Sequence, residues 1–121
     1  MNDTFAGDEK LYRAVFPPDI AQMYWRKDGT VSSAAFADPK GLSVDRGNYK
    51  NDREVLTDMS TRFIGSILRI YVKNCVDIGC LIRYLPSGKN PYHSEIHGSD
   101  RAVLLSKQQR YYLSKKAIIL S

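Results

Sequence analysis

A two-residue alternation cut off by paired prolines does most to constrain this chain. Residues 11–16, LYRAVF, set Leu11, Arg13 and Val15 against Tyr12, Ala14 and Phe16, and Pro17-Pro18 end the run. That is the pattern of a β-strand, and a strand needs a sheet to join. Later segments supply partners. TVSSAAF (30–36) and GLSVDR (41–46) read as short strands separated by an Asp38-Pro39 turn. SILRIYVK (66–73) and CLIRYL (80–85) carry a β-branched and aromatic bias, with NCVDIG as a tight connection between them, and AIIL (117–120) reads as a buried terminal strand.

Helical patterns interrupt these strands. Asp19 with Gln22 makes a capping-box pattern ahead of a short helix in DIAQMYW, closed by Lys27-Asp28-Gly29. In REVLTDMSTRFI, Val55, Leu56, Met59 and Phe63 share one helical face, behind Asn51 or Asp52 as cap. Ser106 with Gln109 opens a last helix, SKQQRYYLSKK. Strands interleaved with two or three helices predict a small α+β domain built on a mixed or antiparallel sheet. The chain has 121 residues, 43% of them hydrophobic, enough to bury a core without disulfides or a structural metal. The polar start MNDTFAGDEK (1–10) reads as flexible, leaving 11–121 as one domain. No run reaches the ~18 apolar residues of a membrane span, and no signal-peptide pattern opens the chain, so a cytoplasmic protein with thiol cysteines is expected.

Both cysteines and both histidines fall in one stretch, as C-x4-C-x12-H-x3-H: Cys75, Cys80, His93 and His97. The counts satisfy a Cys2His2 zinc site. Asn90 as N-cap, Pro91 at the first helical position and Gly98 as stop would place His93 and His97 at i and i+4 of a helix. Against this, a finger packs an aromatic residue four after the second cysteine and a leucine three before the first histidine; here those places hold Tyr84 and Asn90. If HSEIH is instead a strand, His93, Glu95 and His97 share a face, but i and i+4 lie ~13 Å apart, too far for one metal. Zinc is thus the one cofactor the sequence brings up, and the fold does not require it.

The absent signatures are informative. No G-x-S-x-G, Walker loop, dinucleotide glycine fingerprint or H-E-x-x-H occurs. Candidate catalytic groups are His93, titrating near neutrality, with Glu95 and hydroxyls such as Ser33 as companions. These point to a hydrolase or a phosphoryl- or glycosyl-transfer type of enzyme. Charge points elsewhere. Residues 1–60 hold 8 Lys+Arg against 10 Asp+Glu, whereas residues 61–121 hold 10 against 3, so the positive field is one-sided. On a helical wheel Lys107, Arg110, Tyr111 and Lys115 gather on one side of the last helix. That face suits an acidic protein or a nucleic acid, making a non-catalytic binding module the leading expectation and no membrane partner expected.

Two resemblances accompany these readings. Arg13 on the first strand with Ser32-Ser33 on a later one resembles the arginine and serine motifs of ADP-ribosyltransferase folds; the likeness covers only these residues, the chain is short for that fold, and a paired glutamate motif is missing. LYRAVFP, VSSAAF, GLSVDR and NPYHSEIHG together are similar to a pattern in small bacterial proteins of about this length. That likeness spans most of the chain and implies a single bacterial domain without an assigned activity.

Overall fold

A computed structural model describes residues 2–121. Six strands form one antiparallel sheet: β1 (Lys10–Val15), β2 (Leu42–Arg46), β3 (Ser66–Tyr71), β4 (Leu81–Tyr84), β5 (His93–His97) and β6 (Ile118–Ile119), in the order β4-β5-β2-β1-β3-β6. Three helices accompany it: α1 (Asp52–Ser60), α2 (Val72–Val76) and α3 (Lys107–Lys116). The protein is a small single-domain α+β fold, and no helix among the described residues is long and apolar enough to cross a membrane.

Strand alternation decides which helix meets which face. Leu11 and Val15 of β1, Leu42 and Val44 of β2, Leu68 and Ile70 of β3 and Ile96 of β5 point to one side, where Cys75 of α2 and Leu113 of α3 close the main core. Tyr12 and Ile67 point to the other side and meet Val55 and Met59 of α1. Because α1 packs on the β1-β3 half, the β4-β5-β2 half of that second face presents polar side chains: Ser43, Arg83, His93, Glu95 and His97 all keep some exposure.

Capping chemistry sets the two longer helices. Asn51 and Glu54 form a reciprocal capping box at α1, and Ser106 and Gln109 do the same at α3. Gln109 also donates to the carbonyl oxygens of Ile78 and Gly98, tying the start of α3 to the ends of α2 and β5. At the front of the chain, Glu9 and Arg46 form a buried bidentate pair whose guanidinium also donates to the carbonyl oxygens of Asn2 and Thr4. The opening segment therefore lies against the domain.

Several elements differ from the sequence expectation. TVSSAAF forms a 3-10 turn at Ser33–Phe36, with only Val31 bridging Trp25, because the turn drops Ala35 and Phe36 fully into the core beneath α3. DIAQMYW gives one 3-10 turn, Gln22–Tyr24, without a side-chain cap; Ile20 and Met23 are exposed, so no apolar face rewards a longer helix. NCVDIG contributes to α2 rather than a plain connection, since helix begins at Val72. AIIL forms a strand of two residues against β3, Ile118 and Ile119, both exposed on the sheet edge.

Candidate functional site

The central feature is a separation of strands. β1 pairs with β3 along all six residues and β2 with β5 along four, yet β1 meets β2 only at Leu11↔Arg46 and Tyr12↔Asp45. From Arg13 and Val44 onward the two strands diverge, dividing the sheet into a β4-β5-β2 half and a β1-β3-β6 half. Arg13 fills the start of the gap. Its Nε donates to the carbonyl oxygen of Ala35 at 2.7 Å and its Nη1 to that of Ser43 at 2.9 Å. No carboxylate lies within 4.0 Å of it among the described residues. Burial pulls its pKa below the usual arginine value, with the Asp38 charge acting in the opposite direction. Arginine nevertheless stays charged, so the gap holds a partly buried cation with no carboxylate in direct contact.

Two hollows adjoin this cation, of about 220 and 400 Å³, and both are lined by Arg13, Ala14 and Phe63. The inner one reaches Ser43, Asp45, Asn90 and His93. Asp45 is 5% exposed and already committed: Arg62 and the Asn90 amide both donate to it. The outer hollow is mixed: Phe16, Tyr24, Phe63 and Ile64 form its walls together with Arg13 and Arg62.

β5 supplies the acid and the imidazoles. HSEIH is a strand, so the three polar side chains share the second face while Ser94 and Ile96 point to the core. Glu95 lies between the two rings: its Oε1 is 2.9 Å from His97 Nε2 and its Oε2 3.8 Å from His93 Nε2. Gly41 makes room for this carboxylate, since a Cβ there would stand 2.3 Å from Oε1. Ser43 is the cross-strand partner of Glu95.

The sequence candidates thus divide into groups. Arg13 and His93 line one cavity, with Glu95 beside His93. Ser33 is elsewhere, in a groove of about 640 Å³ with Lys107, Arg110, Tyr111 and Lys115, so the four basic-face residues of α3 do come together. The serine next to Arg13 is Ser43, which sequence reasoning passed over. It occupies the polar position between Leu42 and Val44, but nothing local reveals that Glu95 is its partner.

The Cys2His2 arrangement does not assemble. Cys75 and Cys80 are buried in the main core, whereas His93 and His97 project from the opposite face of the sheet. The helix that would have stacked the histidines is absent because Asn90 caps a turn, accepting from the Tyr92 amide, and strand pairing with β2 follows at once. Burial pushes the Cys80 thiol up to about 11 and the Cys75 thiol higher still, the reverse of what metal-binding thiolates need. Nor do three His, Cys, Asp or Glu side chains gather as metal ligands anywhere among the described residues. Glu95 turns a different oxygen to each histidine, so His93, Glu95 and His97 do not converge on one point.

No protein-family model, curated protein or solved structure matches this chain. The short-motif likenesses therefore rest on the residues themselves.

Proposed function

We propose that the protein is a small glycosyl-transfer enzyme that seats a nucleotide in the gap between β1 and β2. The observation that carries the proposal is Arg13, a partly buried residue in the cleft wall whose guanidinium is bonded to two backbone oxygens and has no carboxylate within 4.0 Å. A cation so placed favours an anion, and the planar fork of arginine matches a phosphate. In the outer hollow, the half-exposed rings of Phe16 and Phe63 offer a nucleobase a surface to stack on.

Glu95 is the candidate catalytic carboxylate. As a glycosidic bond breaks, its electron pair leaves with the base and positive charge develops at the sugar carbon; a carboxylate stabilises that charge and takes the proton of the incoming hydroxyl as the new C–O bond forms. His97 orients Glu95, and His93 lies between Glu95 and the inner hollow. The resemblance of Arg13 to the arginine motif of ADP-ribosyltransferase folds supports the same reading, with Ser43 in the role first given to Ser32-Ser33 and a single glutamate rather than a pair. We place the activity in the cytoplasm, in keeping with two buried free thiols.

The test is release of nicotinamide from NAD+, followed by chromatography. Wild-type protein is expected to turn over, Glu95→Gln to lose at least ~100-fold in kcat, and Arg13→Lys to raise KM. Wild-type protein that releases no nicotinamide and binds no ADP-ribose would refute the proposal.

A further inference from the structure

The groove beneath α3 is separate from the sheet gap and carries its own chemistry. Lys107, Arg110 and Lys115 line it, and none lies within 4.0 Å of a carboxylate among the described residues. This contrasts with Arg46, Arg62 and Arg69, which are all held in ion pairs with acidic residues. Of the cations in the C-terminal half, Arg62 and Arg69 are thus neutralised, whereas the three on this face of α3 are left available. Between these cations stands Tyr111, 54% exposed, with the Lys115 ammonium 5.5 Å from its ring centre and the Arg26 guanidinium 5.9 Å away.

From this arrangement the geometry points to a binding site for single-stranded nucleic acid, with phosphates met by Lys107, Arg110 and Lys115 and a base stacked on Tyr111. Cations flanking an aromatic ring are what an unpaired strand requires: charge along its backbone and a π-face for its base. A duplex keeps its bases stacked internally and leaves Tyr111 unused. An acidic peptide would satisfy the cations and give the ring no aromatic partner. Eight residues of helix separate Lys107 from Lys115, about 12 Å, a span of about three to four nucleotides at ~3.4 Å each. Ser33, at the groove wall, adds a hydroxyl within the same cavity.

Fluorescence anisotropy with the full chain and a labelled 12-nucleotide single-stranded RNA tests the site. Three neutralised phosphates predict a ~20-fold loss of affinity between 50 and 200 mM salt. Tyr111→Ala is expected to weaken binding ~5- to 150-fold while circular dichroism stays that of the wild type, and Lys107→Glu with Arg110→Glu to abolish it. Tyr111→Phe keeps the ring and is expected to bind as the wild type does. The inference is overturned by equal or tighter binding of the matching duplex, by tighter binding of a poly-glutamate peptide, by an affinity indifferent to salt, or by Tyr111→Ala binding unchanged.

Discussion

Glu9→Ala is expected to destabilise the protein by about 3–5 kcal/mol, although Glu9 lies before the first residue of the sheet. Glu9 and Arg46 are each about 4% exposed. Two oxygens of Glu9 accept from Nε and Nη2 of Arg46 at 2.7 Å each, and the guanidinium lies near the faces of Phe5 and Tyr84, 4.2 and 4.9 Å from their centres. Deleting the carboxylate leaves the cation desolvated with only the carbonyl oxygens of Asn2 and Thr4 and one cross-strand position from the gap. Against a total stability of about 5–15 kcal/mol, such a loss is large. It corresponds to about 12–20 °C in melting temperature for a domain of this size. Removing both charges tells a different story: Glu9→Leu with Arg46→Met leaves no orphaned ion and is expected to cost less than Glu9→Ala alone. Urea denaturation of the three proteins, with constant m-values, gives the numbers. A cost below about 1 kcal/mol for Glu9→Ala, or a double variant no more stable than the single, would refute the reasoning.

Native protein at pH 8 is expected to leave both cysteines unmodified by iodoacetamide, with two reacting in guanidinium; because the folded pKa values are raised, stability is full below the unfolded thiol value of about 8.5 and declines as pH rises above it. Gly41→Ala, at φ +116° and against Glu95, is expected to lower stability by about 1–3 kcal/mol and to shift the His97 ring resonances in NMR; an unchanged spectrum would show that Glu95 is not pinned there. Burial raises the Asp52 pKa, but the hydrogen bond from Tyr12 and the charges of Arg69 and Lys10 outweigh it, so the net shift is downward. Its stabilisation is therefore present above the unfolded carboxylate value of about 3.9 and fades as pH falls through the lower folded value. Asp52→Asn should flatten the acid limb of the stability profile.

Local chemistry made part of this fold legible. The capping boxes at Asn51 and Ser106 announce α1 and α3, since each is a contact among residues three apart. LYRAVF, read from its alternation, and GLSVDR, read as a short strand, are both strands. TVSSAAF misleads because its apolar residues are buried through a turn under α3, a tertiary reason that periodicity cannot carry. Asp19 and Gln22 mimic a capping box, yet the carbonyl oxygen of Pro17 accepts from both Ile20 and Ala21 and closes a turn instead. The candidate site was legible in pieces: Arg13, His93 and Glu95 stand out by residue type, and HSEIH is the strand that sets His93, Glu95 and His97 on one face. What unites them is the parting of β1 from β2 and the register that sets Ser43 opposite Glu95, both properties of strand pairing between residues more than thirty positions apart. The cysteine and histidine spacing is the converse case, a sequence pattern whose members the sheet holds on opposite faces.

Thermal melting with ADP-ribose tests Arg13 directly as an anion-binding group. At a hundredfold excess over Kd a ligand that binds only the folded state adds about 2.7 kcal/mol, or about 10 °C for a chain of this length. Wild-type protein is predicted to show that rise and Arg13→Met, folded by circular dichroism, to show none. An equal rise in Arg13→Met, or no rise in the wild type at millimolar ADP-ribose, would contradict the account.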